Sequence, residues 1–256
     1  MASSDPLGTT HASWVIEGVG PGVALSVAIF FVIQTKRNRR LSVPALLFIG
    51  TTTMFWQEFY ADWGAFLYYN QSFVELPWWG RSAYTTPNKP LFVVFGYGWF
   101  YAGAFPGLLL VLSRVRRRLP SWPRWIVVVG VVGPLFFAWN LTAADGAAFL
   151  GHWWNYIQSY GPTVHTSQGQ LAFLYPALTY VAYAVLTLGI IDVIDANGQC
   201  WFERRAGLCA DGSGWRYEAR RAVTWAVGMN VFYAAFFTIP TVLTRLLFFG
   251  SNPLIP

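Results

Sequence analysis

Charged residues are scarce in this chain. Asp, Glu, Lys and Arg make up 11% of its 256 residues, whereas roughly 25% is usual for a soluble protein. Hydrophobic residues reach 55%, and the mean hydropathy is +0.41. This number of charges is too small to cover the surface of a soluble domain. The composition therefore predicts an integral membrane protein. We expect an all-α fold, a polytopic bundle of transmembrane helices.

Cysteine is also scarce, and the common motifs of metal and cofactor sites are absent. The two cysteines, Cys200 and Cys209, have neither a second pair nor a nearby histidine, which argues against a zinc site. His152 and His165 could join Asp145 as metal ligands, but their spacing matches no metal-binding motif. The sequence also lacks a Gly-rich phosphate loop, a serine nucleophile elbow and a paired CxxC. We therefore expect neither a metal nor a cofactor.

Six long apolar runs are present, and each reaches or approaches the ~20 residues that cross a bilayer. They cover residues 14–35, 43–60, 91–113, 125–142, 171–194 and 222–249. These runs predict a single transmembrane domain over residues 1–256 with six main helices. Two aromatic segments, residues 64–90 and 152–170, could add a seventh or eighth. Residues 1–6, at the start of the chain, contain no basic side chain, so we interpret the first run as a retained helix and not a signal peptide. The sequence DANG at residues 195–198 predicts a tight turn between two strands.

Basic residues are concentrated in alternate connections, and this pattern predicts the orientation. The net charge is +6. The connections after the first, third and fifth runs hold most of the cations, namely Lys36, Arg37, Arg39, Arg40, Arg114, Arg116, Arg117, Arg118, Arg124, Arg204, Arg205, Arg216, Arg220 and Arg221. The positive-inside rule places these connections in the cytoplasm and both termini outside the cell membrane. Because orientation accounts for the positive charge, we expect no nucleic-acid partner.

The segment FWQEFYADW at residues 55–63 places two acids at the end of the second apolar run. Glu58 and Asp62 are four residues apart and share one face of a helix. Acids in this environment are costly, and two neighbouring acids resist simultaneous ionisation, so one can hold a proton near neutral pH. The pair could therefore serve as an acid–base device. Alternatively, Glu58 reaches the lipid headgroups, because Trp56 and Tyr60 are typical of that interface.

Other polar and aromatic side chains could complete a site on the outer half of the protein. Asp145 follows the fourth run by three residues and is a second candidate proton acceptor beside Asp62. The candidate substrate-binding residues are Trp56, Tyr69, Asn70, Trp78, Trp79, Tyr97 and Asn230. Tyr97 and Asn230 could instead satisfy other polar groups across helices.

Acids and aromatic rings together favour one kind of chemistry. A carboxylic acid can protonate a carbonyl, an alcohol or an epoxide, and a neighbouring carboxylate can accept a proton. Aromatic faces stabilise a passing cation. We therefore expect a hydrophobic small-molecule substrate that reaches the site from the lipid bilayer.

Several motifs resemble those of the AveC-like membrane spirocyclases of actinobacteria. They are FWQEFYADW at residues 55–63, YYN at 68–70, LPWWG at 76–80, IDANGQCWFER at 194–204, and then Asn230 and Pro240. The resemblance implies formation of a spiroketal from a polyketide dihydroxy-ketone, with a dehydration in some members. In this hypothesis Glu58 is the acid, Asp62 or Asp145 accepts the proton, and Tyr69, Asn70 and the Trp78–Trp79 pair orient the substrate.

Two other functions remain open from the sequence. A membrane terpene cyclase of the meroterpenoid type uses membrane-embedded acids to open an epoxide. A non-catalytic lipid-binding or transport protein is the other alternative, although the sequence shows neither an inverted repeat nor a pair of matching broken helices.

Overall fold

The computed structural model describes residues 7–80, 82–166, 169–193, 199–209 and 212–256. This part of the chain is mostly helical. Its α-helices are α1 (Gly20–Asn38), α2 (Val43–Thr52), α3 (Phe55–Gly64), α4 (Phe92–Arg118), α5 (Arg124–Trp139), α6 (Ala147–Gly151), α7 (Ala177–Ile191), α8 (Trp201–Arg205), α9 (Trp215–Tyr233) and α10 (Ile239–Phe248). The turn predicted for the DANG sequence lies outside the described residues.

Three π-helical segments extend or join these helices. Val15–Val19 precedes α1, Asn140–Gly146 joins α5 to α6, and Ala234–Thr238 joins α9 to α10. A π-helical turn contains an extra residue and often marks a functional site.

Four continuous helices in the described residues are long and apolar enough to cross a membrane. They comprise Val15–Asn38, Phe92–Arg118, Arg124–Gly151 and Trp215–Phe248. These helices indicate a membrane protein, but the prediction of six spans is wrong. The second and fifth apolar runs instead form the shorter helices α2 and α7.

Threonine side chains interrupt the second apolar run. The hydroxyls of Thr51, Thr52 and Thr53 donate hydrogen bonds of 2.8, 2.7 and 2.7 Å to backbone carbonyls in the preceding turn. Such bonds compete with the helical pattern and bend helices. As a result α2 ends at Thr52, and Glu58 and Asp62 lie on the separate short helix α3.

The two aromatic segments form short strands where a seventh or eighth helix was possible. Strand β1 (Leu67–Tyr69) pairs antiparallel with β2 (Trp154–Tyr156). Strand β3 (Thr163–Thr166) pairs antiparallel with β4 (Gly169–Ala172). Because β4 takes up the start of the fifth apolar run, α7 begins only at Ala177 and has 15 residues.

Glycines bring α2 into close contact with two other helices. A Cβ atom added to Gly98 on α4 would lie 2.7 Å from Thr52 Oγ1 and 2.8 Å from a ring carbon of Phe48. A Cβ atom added to Gly50 on α2 would lie 2.6 Å from Cγ of Met229 on α9. Small residues at helix interfaces allow this approach in membranes. Helix α2 is therefore held between α4 and α9, which fixes the start of α3.

A buried ion pair joins α8 and α9 to the chain before α2. Arg221 Nε donates to Glu203 Oε1 at 2.6 Å, and Arg221 Nη1 donates to the carbonyl of Leu41 at 2.8 Å. Glu218 Oε2 accepts from the amide of Leu41 at 2.9 Å. Arg221 and Glu203 are 2% and 0% exposed, so the Glu203 carboxylate depends on Arg221 for compensation, while Arg221 also has Glu218 Oε2 at 3.6 Å.

Candidate functional site

A cavity of ≈ 270 Å³ brings the three predicted acids together. Glu58, Asp62 and Asp145 all line it. They come from α3 and from the π-helical segment Asn140–Gly146, which are far apart in the sequence. The three acids therefore face a common internal space.

Glu58 is held by two tyrosines. Tyr97 on α4 and Tyr233 at the end of α9 both donate hydrogen bonds to Oε2 of Glu58. Within the described chain, every hydrogen bond to the Glu58 side chain falls on this oxygen. The side chain keeps some accessible surface because it faces the cavity. The other oxygen, Oε1, is therefore the one best placed to exchange a proton with a ligand.

Asp62 lies one turn beyond Glu58 and is only 3% exposed. Tyr69 of β1 donates a hydrogen bond of 2.8 Å to Oδ2 of Asp62. Burial, and then the charge of Asp62, raise the pKa of Tyr69 well above its usual value. The phenol therefore keeps its proton and acts as a hydrogen-bond donor to the carboxylate.

Asp145 has donors on both oxygens. Asn140 Nδ2 donates to Oδ2 at 2.7 Å, and the Tyr156 hydroxyl donates to Oδ1 at 3.0 Å. Asn140 and Asp145 are five residues apart, and a π-helix places such residues on the same face because its hydrogen bonds join positions five apart. Burial and the charge of Asp145 raise the pKa of Tyr156 well above its usual value, so Tyr156 also stays protonated. The arrangement is suited to holding a negative charge.

All three π-helical segments contribute to the cavity wall. Val15 and Ile16 come from the first segment, Asn140 and Asp145 come from the second, and Phe237 comes from the third. The extra residue in each π-helical turn widens the helix locally. Space for a ligand thus coincides with the places where regular α-helical packing is relaxed.

Aromatic rings form much of the remaining wall. Phe92 stacks on Trp154 with ring centroids 6.2 Å apart, and Tyr69 meets Phe92 edge to face at 5.9 Å. All three rings line the cavity, together with Trp153 and Phe100. Carboxyl groups therefore lie inside an apolar chamber, where their electrostatic effects are stronger than in water.

Two of the predicted substrate-binding residues line the cavity, Tyr69 and Tyr97. Trp56 and Asn230 do not line the cavity. They bind each other instead. Trp56 Nε1 donates to Asn230 Oδ1 at 3.0 Å, and Trp56 is 44% exposed. Asn230 also accepts a hydrogen bond of 2.9 Å from Gln57, so its amide links α9 to α3. These two residues position α3 and are not part of the cavity wall.

Asn70, Trp78 and Trp79 also lie away from the cavity wall. Asn70 Nδ2 donates to the backbone carbonyls of Gly8 and residue 152 at 2.9 and 3.0 Å, so its amide is used in chain packing. Trp78 is 68% exposed. Trp79 packs edge to face on Phe59 at 5.1 Å. The structure therefore does not bring these three side chains to the cavity that holds the acids.

Four residues that contact the acids were not among the predicted site residues. They are Tyr233 beside Glu58, and Asn140, Trp154 and Tyr156 beside Asp145. The sequence did contain a signal for Tyr233, because this residue lies in an apolar run and a buried phenol there needs a hydrogen-bond partner. No sequence signal revealed the π-helical turn that brings Asn140 to Asp145.

No protein-family model, curated protein or solved structure matches this chain. Its class is consequently defined by its own fold and site. It is a mostly helical protein with membrane-length helices and a cavity lined by three acids and many aromatic rings.

Proposed function

We propose that this protein is a membrane-embedded cyclase that forms a spiroketal from a hydrophobic polyketide dihydroxy-ketone. The observation that carries the proposal is the convergence of Glu58, Asp62 and Asp145 on one aromatic cavity. The resemblance of residues 55–63 to the AveC-like spirocyclases supports the same reaction.

Glu58 acts as the acid in this proposal. One substrate hydroxyl first adds to the ketone carbon and gives a hemiketal. Glu58 then protonates the hemiketal hydroxyl. The carbon–oxygen bond breaks, water departs, and an oxocarbenium ion remains. Tyr97 and Tyr233 hold Oε2 of Glu58, so Oε1 is turned toward the substrate.

Asp62 accepts the second proton. The remaining substrate hydroxyl attacks the oxocarbenium carbon, forms the second ring and loses its proton to a carboxylate. Within the described residues only one oxygen of Asp62 accepts a hydrogen bond, whereas both oxygens of Asp145 accept from neighbours. Asp145 instead stabilises the cation by its charge, and the aromatic wall assists it. One water is released, and Glu58 regains its proton from Asp62 through solvent exchange.

We also propose that the substrate reaches the cavity from the bilayer of the cell membrane and that the three basic connections lie together in the cytoplasm. The contacts of Arg116 with Asp192 and of Arg221 with the carbonyl of Leu41 join these connections to one another, although α2 and α7 are short. The Lys and Arg distribution supports this orientation. Both termini are then extracytoplasmic, and the acids lie in the outer half of the membrane domain.

The proposal is tested with purified protein in detergent and a simple dihydroxy-ketone that can close to two six-membered rings. Spiroketals also form slowly without an enzyme, so both the rate and the enantiomeric excess of the product are measured by chiral gas chromatography. Faster formation of one enantiomer supports the proposal.

A parallel reaction with an epoxidised prenyl substrate tests the terpene-cyclase alternative. Cyclised terpenoid from the epoxide, with no acceleration of spiroketal formation, would favour that alternative. Binding of both compounds without conversion of either would favour a lipid-binding or transport function.

A further inference from the structure

The cavity wall has a second polar position apart from the three acids. Tyr101 on α4 and Tyr180 on α7 both line the cavity, and their hydroxyl oxygens are 2.6 Å apart. Neither residue belongs to the hydrogen-bonded groups around Glu58, Asp62 and Asp145 described above.

The hydrogen-bond capacity of this pair is incomplete. Each phenol has one O–H donor, and a single hydrogen bond joins the two hydroxyls. Tyr101 is 1% exposed, so its proton has to be used inside the protein, on the oxygen of Tyr180. Tyr180 keeps some accessible surface on the cavity. Its O–H is therefore the donor that remains for a ligand.

The surroundings of Tyr180 are apolar. The ring centroids of Phe136 and Phe237 lie 5.1 and 5.0 Å from that of Tyr180. A donor without an acceptor is costly in such a place. An acceptor oxygen on the ligand would remove that cost, whereas a methylene group at the same point would not.

The distance from this pair to the acids is set by α4. Tyr97, which binds Glu58, precedes Tyr101 by one helical turn, and their ring centroids are 5.4 Å apart. Glu58 and Tyr180 are each hydrogen-bonded to one of these two tyrosines, so we take the rise of one turn, ~5.4 Å, as the scale of the spacing between the two points of a ligand that they contact.

We propose that Tyr180, oriented by Tyr101, forms a subsite for a second acceptor oxygen of the substrate, a carbonyl or ether about one helical turn from the carbon that Glu58 activates. The substrate class is thus narrowed to chains that carry this further oxygen beyond the reacting dihydroxy-ketone. The inference rests on the proposed function for its reaction, but the subsite itself concerns binding alone.

Binding of unreactive probes tests the subsite. The probes are a medium-chain monoketone and diketones of the same length whose second carbonyl is moved stepwise along the chain. Equilibrium dialysis in detergent, with gas chromatography, gives the dissociation constant for the wild-type protein and for Tyr180→Phe. We expect the diketone with carbonyls about five bonds apart to gain roughly three- to tenfold in affinity over the monoketone in the wild type only. The ratio between the two proteins cancels the partition of each probe into micelles.

Tyr183→Phe is the matched control, because its hydroxyl contacts Met54 Sδ at 3.7 Å and the residue does not line the cavity. This variant should keep the full preference for the diketone. A preference that persists in Tyr180→Phe would overturn the proposal. So would equal binding of all probes by the wild type, a measurement that needs no variant to fold.

Failure of the subsite and failure of the cyclase proposal give different results. Spiroketal formation without a preference among the probes would reject the subsite and leave the reaction in place. A Tyr180-dependent preference in a protein that forms no spiroketal would reject the reaction and leave the subsite in place.

Discussion

Tyr233 donates a hydrogen bond to Oε2 of Glu58 and so joins the end of α9 to α3 at the cavity. Tyr97 of α4 binds the same oxygen. Three helices that lie far apart in the sequence thus determine the position of one carboxyl group. A catalytic acid has to be held in this way, because its proton must reach the substrate in a defined direction.

Removing either tyrosine hydroxyl should weaken catalysis through the position of Glu58. We expect Tyr97→Phe and Tyr233→Phe each to lower kcat about five- to tenfold, as each loses one hydrogen bond to Glu58. The double variant should lose less than the product of the two, since both tyrosines bind one oxygen. Initial rates of spiroketal formation provide the measurement. Strictly multiplicative effects would show that the two tyrosines act independently of each other, contrary to their sharing one oxygen of Glu58.

Asp62 and Asp145 should differ in their contribution to the rate. Asp62→Asn removes the proton acceptor, and we expect a loss of about a hundredfold. Asp145→Asn should lower the rate by about tenfold or less, a smaller loss than that of Asp62→Asn, because Asp145 contributes charge and not proton transfer. Rates for the two variants at equal protein concentration check this assignment. A larger loss for Asp145→Asn would exchange their roles.

The buried ion pair between Arg221 and Glu203 should matter for stability and not for chemistry. Arg221→Met leaves the Glu203 carboxylate buried without its partner, a change that costs about 3–5 kcal/mol. Thermal unfolding in detergent should show a much lower Tm. Adding Glu203→Gln should recover part of the loss.

Arg220→Met is the control for that experiment, since the neighbouring Arg220 is exposed. It should leave Tm close to that of the wild type. Similar destabilisation by both arginine substitutions would contradict the dependence on the buried pair.

The two native cysteines report the orientation of the basic connections. Cys209 is exposed, whereas Cys200 is buried. A membrane-impermeant maleimide should label the protein in inverted vesicles and not in intact cells, because the positive-inside rule puts this connection in the cytoplasm. Cys209→Ser should abolish the labelling. Efficient labelling of intact cells would reverse the proposed orientation.

Composition and hydropathy predicted the class of fold because the scarcity of charge applies to the whole chain. They overestimated the number of spans, since hydropathy does not register local competition for backbone hydrogen bonds. The Thr51–Thr53 hydroxyls end α2 early, and the pairing of β4 shortens α7. Both effects depend on specific contacts and not on average polarity.

The acids of the cavity were predictable, but most of their partners were not. Glu58 and Asp62 stand out because carboxyl groups are rare beside apolar runs, and their spacing of four places them on one face. Aromatic density drew attention to Trp56 and Trp78, yet both are largely exposed. Rings that lie at a membrane interface and rings that line a cavity have the same composition, so only the fold separates them.

Asp145 shows how a partner can be hidden in the sequence. Its contact with Asn140 depends on a π-helical turn, and regular α-helical spacing would not bring residues five apart together. Its other partners, Trp154 and Tyr156, belong to β2 in a segment that had no clear strand pattern.

The most direct test compares Glu58→Gln with Glu75→Gln in the reaction of the dihydroxy-ketone. Glu75 is an exposed acid that does not line the cavity, so its variant controls for the loss of one carboxyl group. We predict that Glu58→Gln lowers the rate of spiroketal formation at least about a hundredfold and yields racemic product, while Glu75→Gln matches the wild type in rate and enantiomeric excess. Full turnover to a single enantiomer by a folded Glu58→Gln protein would contradict the role assigned to Glu58.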